Sequence, residues 1–176
     1  MDAKEPVWLS TVDIRRKYEG LCEEKNFSRK FIVKLFRANL LRGYYDSTHR
    51  RFMILEESWL EMVKHVNYNL YLQIFPIEGE PIKFSVPTYC NNLNQVRYDL
   101  EKNWYTPTEL LEEYEKLKYD KIFDVVFIKQ LVHCGLIRGG HDPREKVTIV
   151  LLASFIELLL YRDYILQQNM VSPKVA

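Results

Sequence analysis

Trp8-Leu9-Ser10-Thr11-Val12-Asp13-Ile14 returns as Trp104-Tyr105-Thr106-Pro107-Thr108-Glu109-Leu110, and the offset of 96 positions (104 less 8) then holds without a gap as far as Glu61 and Glu157. Within that span Tyr18-Glu19 recurs as Tyr114-Glu115 and Phe31-Ile32 as Phe127-Ile128. Leu40, Arg42 and Gly43 recur as Leu136, Arg138 and Gly139, and Asp46 and Ser58 as Asp142 and Ser154. Self-similarity this dense in aromatic residues and glycine marks an internal duplication, which decides the organisation before any single motif does. Two copies of about 65 residues are each large enough for one small core.

Each copy opens with a helix start. Ser10 with Asp13, and Thr106 with Glu109, have the spacing of an N-cap and its N3 partner, and Pro107 takes the favoured first helical position. Ser28 and Asp124 cap a second helix. Its apolar stripe is Phe31, Ile32, Leu35 and Phe36 in one copy and Phe127, Ile128, Leu131 and Val132 in the other. Leu40-Leu41-Arg42-Gly43 and Leu136-Ile137-Arg138-Gly139 leave that helix in extended form. A turn at Asp46–His49, or at His141–Glu145, leads to a second strand, Phe52–Leu55 or Val147–Leu151. A closing helix starts near Glu56 or Ala153.

The fold class is therefore α+β and mainly helical. The copies occupy residues 1–66 and 104–170, with a structured linker at 67–103. In that linker the alternation of Leu70, Leu72 and Ile74, then of Ile82, Phe84 and Val86 around Glu78-Gly79-Glu80-Pro81, predicts a β-hairpin, and Asn91–Lys102 predicts a short helix.

A hydrophobic content of 47% in 176 residues belongs to a folded chain, and the net charge of +1 excludes a polyanion-binding surface spread over the whole molecule. Charge is nevertheless uneven. Residues 1–66 carry 13 Lys/Arg against 10 Asp/Glu, whereas residues 104–176 carry 9 against 10. Cys22, Cys90 and Cys134 are too widely spaced for a zinc site and read as reduced thiols. The first residues lack the pattern of a signal peptide, and the apolar run Val147–Tyr161 is short for a span and holds Glu157. A cytoplasmic protein with no membrane association, metal or cofactor is expected.

The residues Trp8–Ile14, Ser28-Arg29-Lys30-Phe31-Ile32, Leu40-Leu41, Arg50-Arg51-Phe52-Met53-Ile54 and Glu56-Glu57-Ser58-Trp59-Leu60 follow one another as in a known family. Each copy resembles the winged helix-turn-helix of the excisionase/MerR type, over residues 8–65 and, with fewer matches, 104–161. The segment between the first two helices is longer here than in that family, by Cys22-Glu23-Glu24-Lys25-Asn26. The resemblance implies two tandem DNA-binding domains, with the second helix as recognition helix and the hairpin as wing. It also suggests a phage or mobile-element setting.

A recognition helix must carry basic and hydrogen-bonding side chains on the face away from its core stripe. In the first copy that face is Arg29, Lys30, Val33, Lys34 and Arg37, and the wing adds His49, Arg50 and Arg51. Lys and Arg here would neutralise phosphates, and an Arg would read guanine. The alternative is an ordinary solvated cationic face. The second copy places Val125, Val126, Gln130 and His133 at the equivalents of Arg29, Lys30, Lys34 and Arg37, with Lys129 where the first has Val33. That exchange predicts a protein-facing surface or self-association, against a second, weaker DNA contact as the other reading.

No Gly-rich phosphate loop, no G-x-S-x-G and no H-E-x-x-H occurs, and no acid, base and nucleophile converge, so an enzyme is not expected and no small-molecule site is evident. Trp8, Trp104, Trp59 and Phe155 read as core aromatics. Arg42-Gly43 and Arg138-Gly139 read as structural, with the glycine allowing a bend and the arginine facing an acid of its own copy. The expected function is regulatory or architectural binding of double-stranded DNA through copy 1, with copy 2 orienting the protein or engaging another protein. The alternative is a structural or adaptor protein, such as a virion or assembly component, whose domains make protein contacts.

Overall fold

The computed structural model describes residues 3–18, 27–74, 104–114, 122–142 and 146–171. It is α+β, with six helices and two three-stranded antiparallel sheets among those residues. The elements are β1 (Trp8–Ser10), α1 (Thr11–Lys17), α2 (Arg29–Arg37), β2 (Gly43–Asp46), β3 (Arg51–Leu55) and α3 (Glu56–Ile74). They continue as β4 (Trp104–Tyr105), α4 (Pro107–Glu113), α5 (Val125–Cys134), β5 (Gly139–Asp142), β6 (Val147–Leu151) and α6 (Leu152–Val171). The chain divides into two compact units, Met1–Lys64 with Ile165–Ala176, and His65–Tyr164.

In the first unit the sheet order is β1-β3-β2. Trp8 lies opposite Leu55, Gly43 opposite Ile54 and Tyr45 opposite Phe52. The capping box forms as the sequence predicts. The Ser10 hydroxyl oxygen accepts from the Asp13 amide at 3.2 Å, and the Asp13 carboxylate accepts from the Ser10 amide at 3.2 Å. Hydrogen bonds from the Ser10 hydroxyl and amide hold the Asp13 carboxyl below its usual pKa. Ser28 caps α2 through the Phe31 amide at 3.2 Å. The α2 stripe of Phe31, Ile32 and Leu35 is buried with Ile14, Ile54 and Trp59.

The second unit repeats this architecture at the same offset. Its sheet order is β4-β6-β5, with Trp104 opposite Leu151, Gly139 opposite Val150 and His141 opposite Thr148. Thr106 and Glu109 form the second capping box, and Asp124 caps α5 through the Phe127 amide at 2.7 Å. Both second helices end in the same hydrogen-bonded wrap. Asn39 and Leu40 amides donate to Phe36 and Leu35 carbonyls, as Gly135 and Leu136 amides do to Val132 and Leu131. Asn39 at φ 60° and Gly135 at φ 85° hold the left-handed position this wrap requires.

The duplicated Arg-Gly and Ser positions have a shared mechanical basis. The Arg42 amide donates to the Ser58 hydroxyl oxygen at 3.0 Å, and the Arg138 amide to that of Ser154 at 2.6 Å. A Cβ on Gly43 would stand 2.3 Å from the Met53 carbonyl oxygen, and one on Gly139 would stand 2.4 Å from that of Ile149. Neither glycine adopts a left-handed backbone, so close approach, and not a bend, is what demands glycine here. Burial and the neighbouring Glu57 raise the Glu61 carboxyl pKa, and the Arg42 charge opposes that rise. Arg138 and Glu157, their equivalents, are both buried.

Three expectations change. Strands β1 and β4 precede the first helices, giving three-stranded sheets where two-stranded hairpins were expected. The segment carrying Leu70, Leu72 and Ile74, expected as a strand of the linker hairpin, continues α3 as helix. Trp104 is 43% exposed and Trp8 half-buried, whereas Trp59 and Phe155 are in the core. The rest of the expected linker, Ile82–Val86 and Asn91–Lys102, lies outside the described residues.

From His65 onward α3 belongs to the second unit. There the buried His65 Nε2 sits 2.9 Å from the Leu136 carbonyl oxygen, to which the Asn69 amide nitrogen donates at 3.0 Å. Asn69 and His65 also contact each other directly. Burial lowers the His65 pKa from 6.5 to about 3, so its imidazole is neutral at ordinary pH.

Candidate nucleic-acid interface

The basic residues of the first unit lie on two elements. Arg29 and Lys30 stand exposed in the first turn of α2, which contains no acid. Cations at that end oppose the helix macrodipole, whose positive pole favours anions. Helices α1 and α3 follow the ordinary rule, with Asp13 in one first turn and Glu56 and Glu57 in the other. The local arrangement at α2 therefore costs a little stability and leaves two cations and a helix N-terminus pointing at solvent together. One to two turns on, Lys34 is half-buried and Arg37 exposed.

Arg37 is where the helix meets the hairpin. Its guanidinium carbon lies 5.5 Å from the ring centroid of Phe52 on β3, within cation–π range. Phe52 also packs against Phe36 of α2 at 5.2 Å and against Tyr45 of β2 at 5.0 Å. The ring of Phe52 thus ties the last turn of α2 to both hairpin strands.

The turn residues behave differently. Asp46 organises them, because its carboxylate accepts from the Thr48 amide at 3.0 Å and the His49 amide at 3.2 Å. The same carboxylate contacts His49 Nδ1 at 2.7 Å and Arg51 Nε at 3.8 Å. The His49 hydrogen bonds, chiefly from its side chain, keep the Asp46 carboxyl below its usual pKa. Arg50 occupies the left-handed region at φ 52°, as Lys146 does at φ 55° in the second unit. Because strand side chains alternate, Arg51 lies on the face opposite to Phe52, toward Asp13, whose carboxyl feels its charge. Of the seven expected contact residues, then, Arg37 is seated where α2 and the hairpin join. His49 and Arg51 gather on Asp46, and Arg50 stands exposed at the turn.

Aromatic residues were absent from the expected site. Tyr45 is 52% exposed beside Phe52. Comparing the copies at fixed offset would have drawn attention to it, since Phe36, Tyr44, Tyr45 and Phe52 stand where copy 2 has Val132, Gly140, His141 and Thr148. Arg15 and Arg16, exposed on α1, were likewise unread.

In the second unit Val126 is 58% exposed, and Lys129 and His133 are also exposed. Val125 and Gln130 are half-buried. Among the described residues no group of three or more His, Cys, Asp or Glu side chains is placed to hold a metal ion, and no helix is long and apolar enough to cross a membrane. Comparison with models of known families, with characterised proteins and with solved structures finds no match for the chain.

Proposed function

We propose that the chain is a non-enzymatic DNA-binding protein, regulatory or architectural, that grips double-stranded DNA through its first unit. In this reading each copy is a winged helix-turn-helix, α2 enters the major groove and the β2–β3 hairpin is the wing. The element order and the β1-β3-β2 sheet support it. The observation that carries it is the exposed pair Arg29 and Lys30 at the acid-free start of α2, continued by Arg37 at the junction with the hairpin. Such a placement opposes the helix dipole in the free protein and is relieved by a phosphate.

Fluorescence anisotropy on mixed-sequence duplex DNA over a salt series tests the proposal. The wild type is expected to bind with a steep inverse salt dependence, and an Arg29/Lys34/Arg37→Ala variant to bind weakly with a flatter slope. Absence of binding at low salt would reject it. A second reading, an adaptor that docks another protein or a second copy on α5, has one observation in its favour, the exposed Val126 flanked by Val125, Lys129 and His133.

A further inference from the structure

Because the two copies share one register, they form an internal control for what the fold itself requires. Three buried positions keep a Phe or Trp ring in both copies, whereas buried Tyr105 and Tyr161 stand where copy 1 has Leu9 and His65. Phe27, Phe31 and Trp59 correspond to Phe123, Phe127 and Phe155, all in their cores. The Phe27–Phe31 and Phe123–Phe127 ring pairs persist at 5.8 and 5.2 Å. The aromatic column formed by α2 and the hairpin does not persist. Phe36, Phe52 and Tyr45 become Val132, Thr148 and His141, although His141 still pairs with Thr148 as Tyr45 pairs with Phe52. The second sheet forms without those rings, so the shared sheet topology does not require them.

The column disappears from copy 2 together with the cation seated on it, Arg37 becoming His133, while the cation at the turn is kept, Arg50 becoming Lys146. Loss of both features at once is expected of groups that serve one ligand. That ligand combines negative charge with flat apolar faces. In an intact duplex the base faces are covered by their neighbours, and a protein meets base edges, sugars and phosphates. An exposed aromatic ring offers a stacking face to a base that has left the stack. We infer that Tyr45, seated on Phe52 beside Arg37, is a stacking site for an unpaired nucleobase in otherwise double-stranded DNA, with Arg37 and the exposed Arg50 as cations for the flanking phosphates. This rests on the proposed DNA-binding reading and gives it a preferred substrate, a duplex carrying a bulged or extruded nucleotide.

The full chain is titrated with two duplexes of the same sequence, one with 2-aminopurine paired in the helix and one with it in a single-nucleotide bulge. The wild type is expected to bind the bulged duplex about ten-fold more tightly and to quench its 2-aminopurine fluorescence. Tyr45→Phe keeps both properties. Tyr45→Ala loses both while binding the paired duplex as the wild type does, with an unchanged circular dichroism spectrum. Equal wild-type binding to the two duplexes without quenching would overturn the inference and leave the proposed function standing. Failure to bind either duplex would overturn both. A Tyr45→Ala loss of equal size on both duplexes would place the ring against the sugar-phosphate backbone and overturn stacking.

Discussion

At Gly43 and Gly139 one missing atom sets how closely strand and neighbour approach. A Cβ at Gly43 would overlap a backbone oxygen at 2.3 Å, which no rotamer change relieves. Gly43→Ala should cost about 2–3 kcal/mol in a denaturant titration. Gly140, one residue along β5 from Gly139, has open space where its Cβ would stand. Gly140→Ala should leave stability equal or raise it by about 0.5 kcal/mol through the unfolded chain. Equal effects at the two sites would show that close approach is not what selects glycine. His65 offers a second test at this scale. Its folded pKa of about 3 lies below 6.5, so the unfolded chain takes up the proton first as pH falls. Its contribution to stability is complete above pH 6.5 and is lost progressively toward pH 3, by about 3 kcal/mol at pH 4. His65→Gln should flatten the stability profile between pH 6.5 and 5, and a profile identical to wild type would reject this account.

Elements that depend on neighbouring residues were legible, and those that depend on distant partners were not. Both capping boxes were plain because N-cap and N3 are three residues apart and need no tertiary contact. Ser10→Ala and Thr106→Ala should each lower stability by about 1 kcal/mol, read as a shift in the denaturant midpoint. The stripes of α2 and α5 were equally clear from their spacing. Strands β1 and β4, three and two residues long, carry too little alternation to announce themselves and exist because β3 and β6 hold them. The length of α3 was hidden by chemistry. Its buried face runs through Met62, Val63 and Val66 but also through His65 and Asn69, whose polar side chains break the apolar pattern while meeting the Leu136 carbonyl. Helix-face cations could be read from i, i+4 spacing. The side of the hairpin taken by Arg51 could not, since it follows from register with a partner strand.

For the whole molecule, the duplication permits an experiment in gain as well as loss. If the cations of α2 carry DNA binding, moving them to α5 should confer it. A Val125→Arg/Val126→Lys/His133→Arg variant should bind duplex DNA more tightly at low salt and steepen the salt slope by about two to three ions. An unchanged slope would mean that α5 cannot present its outer face to a duplex. The matched registers have another consequence, for how the chain reaches its native state. Each amino-terminal strand meets, in either third strand, a template of the same geometry, so a chain diluted from denaturant has a correct and an incorrect mate available at once. On the ribosome β3 emerges before β6 has been made, and the order of synthesis chooses for it.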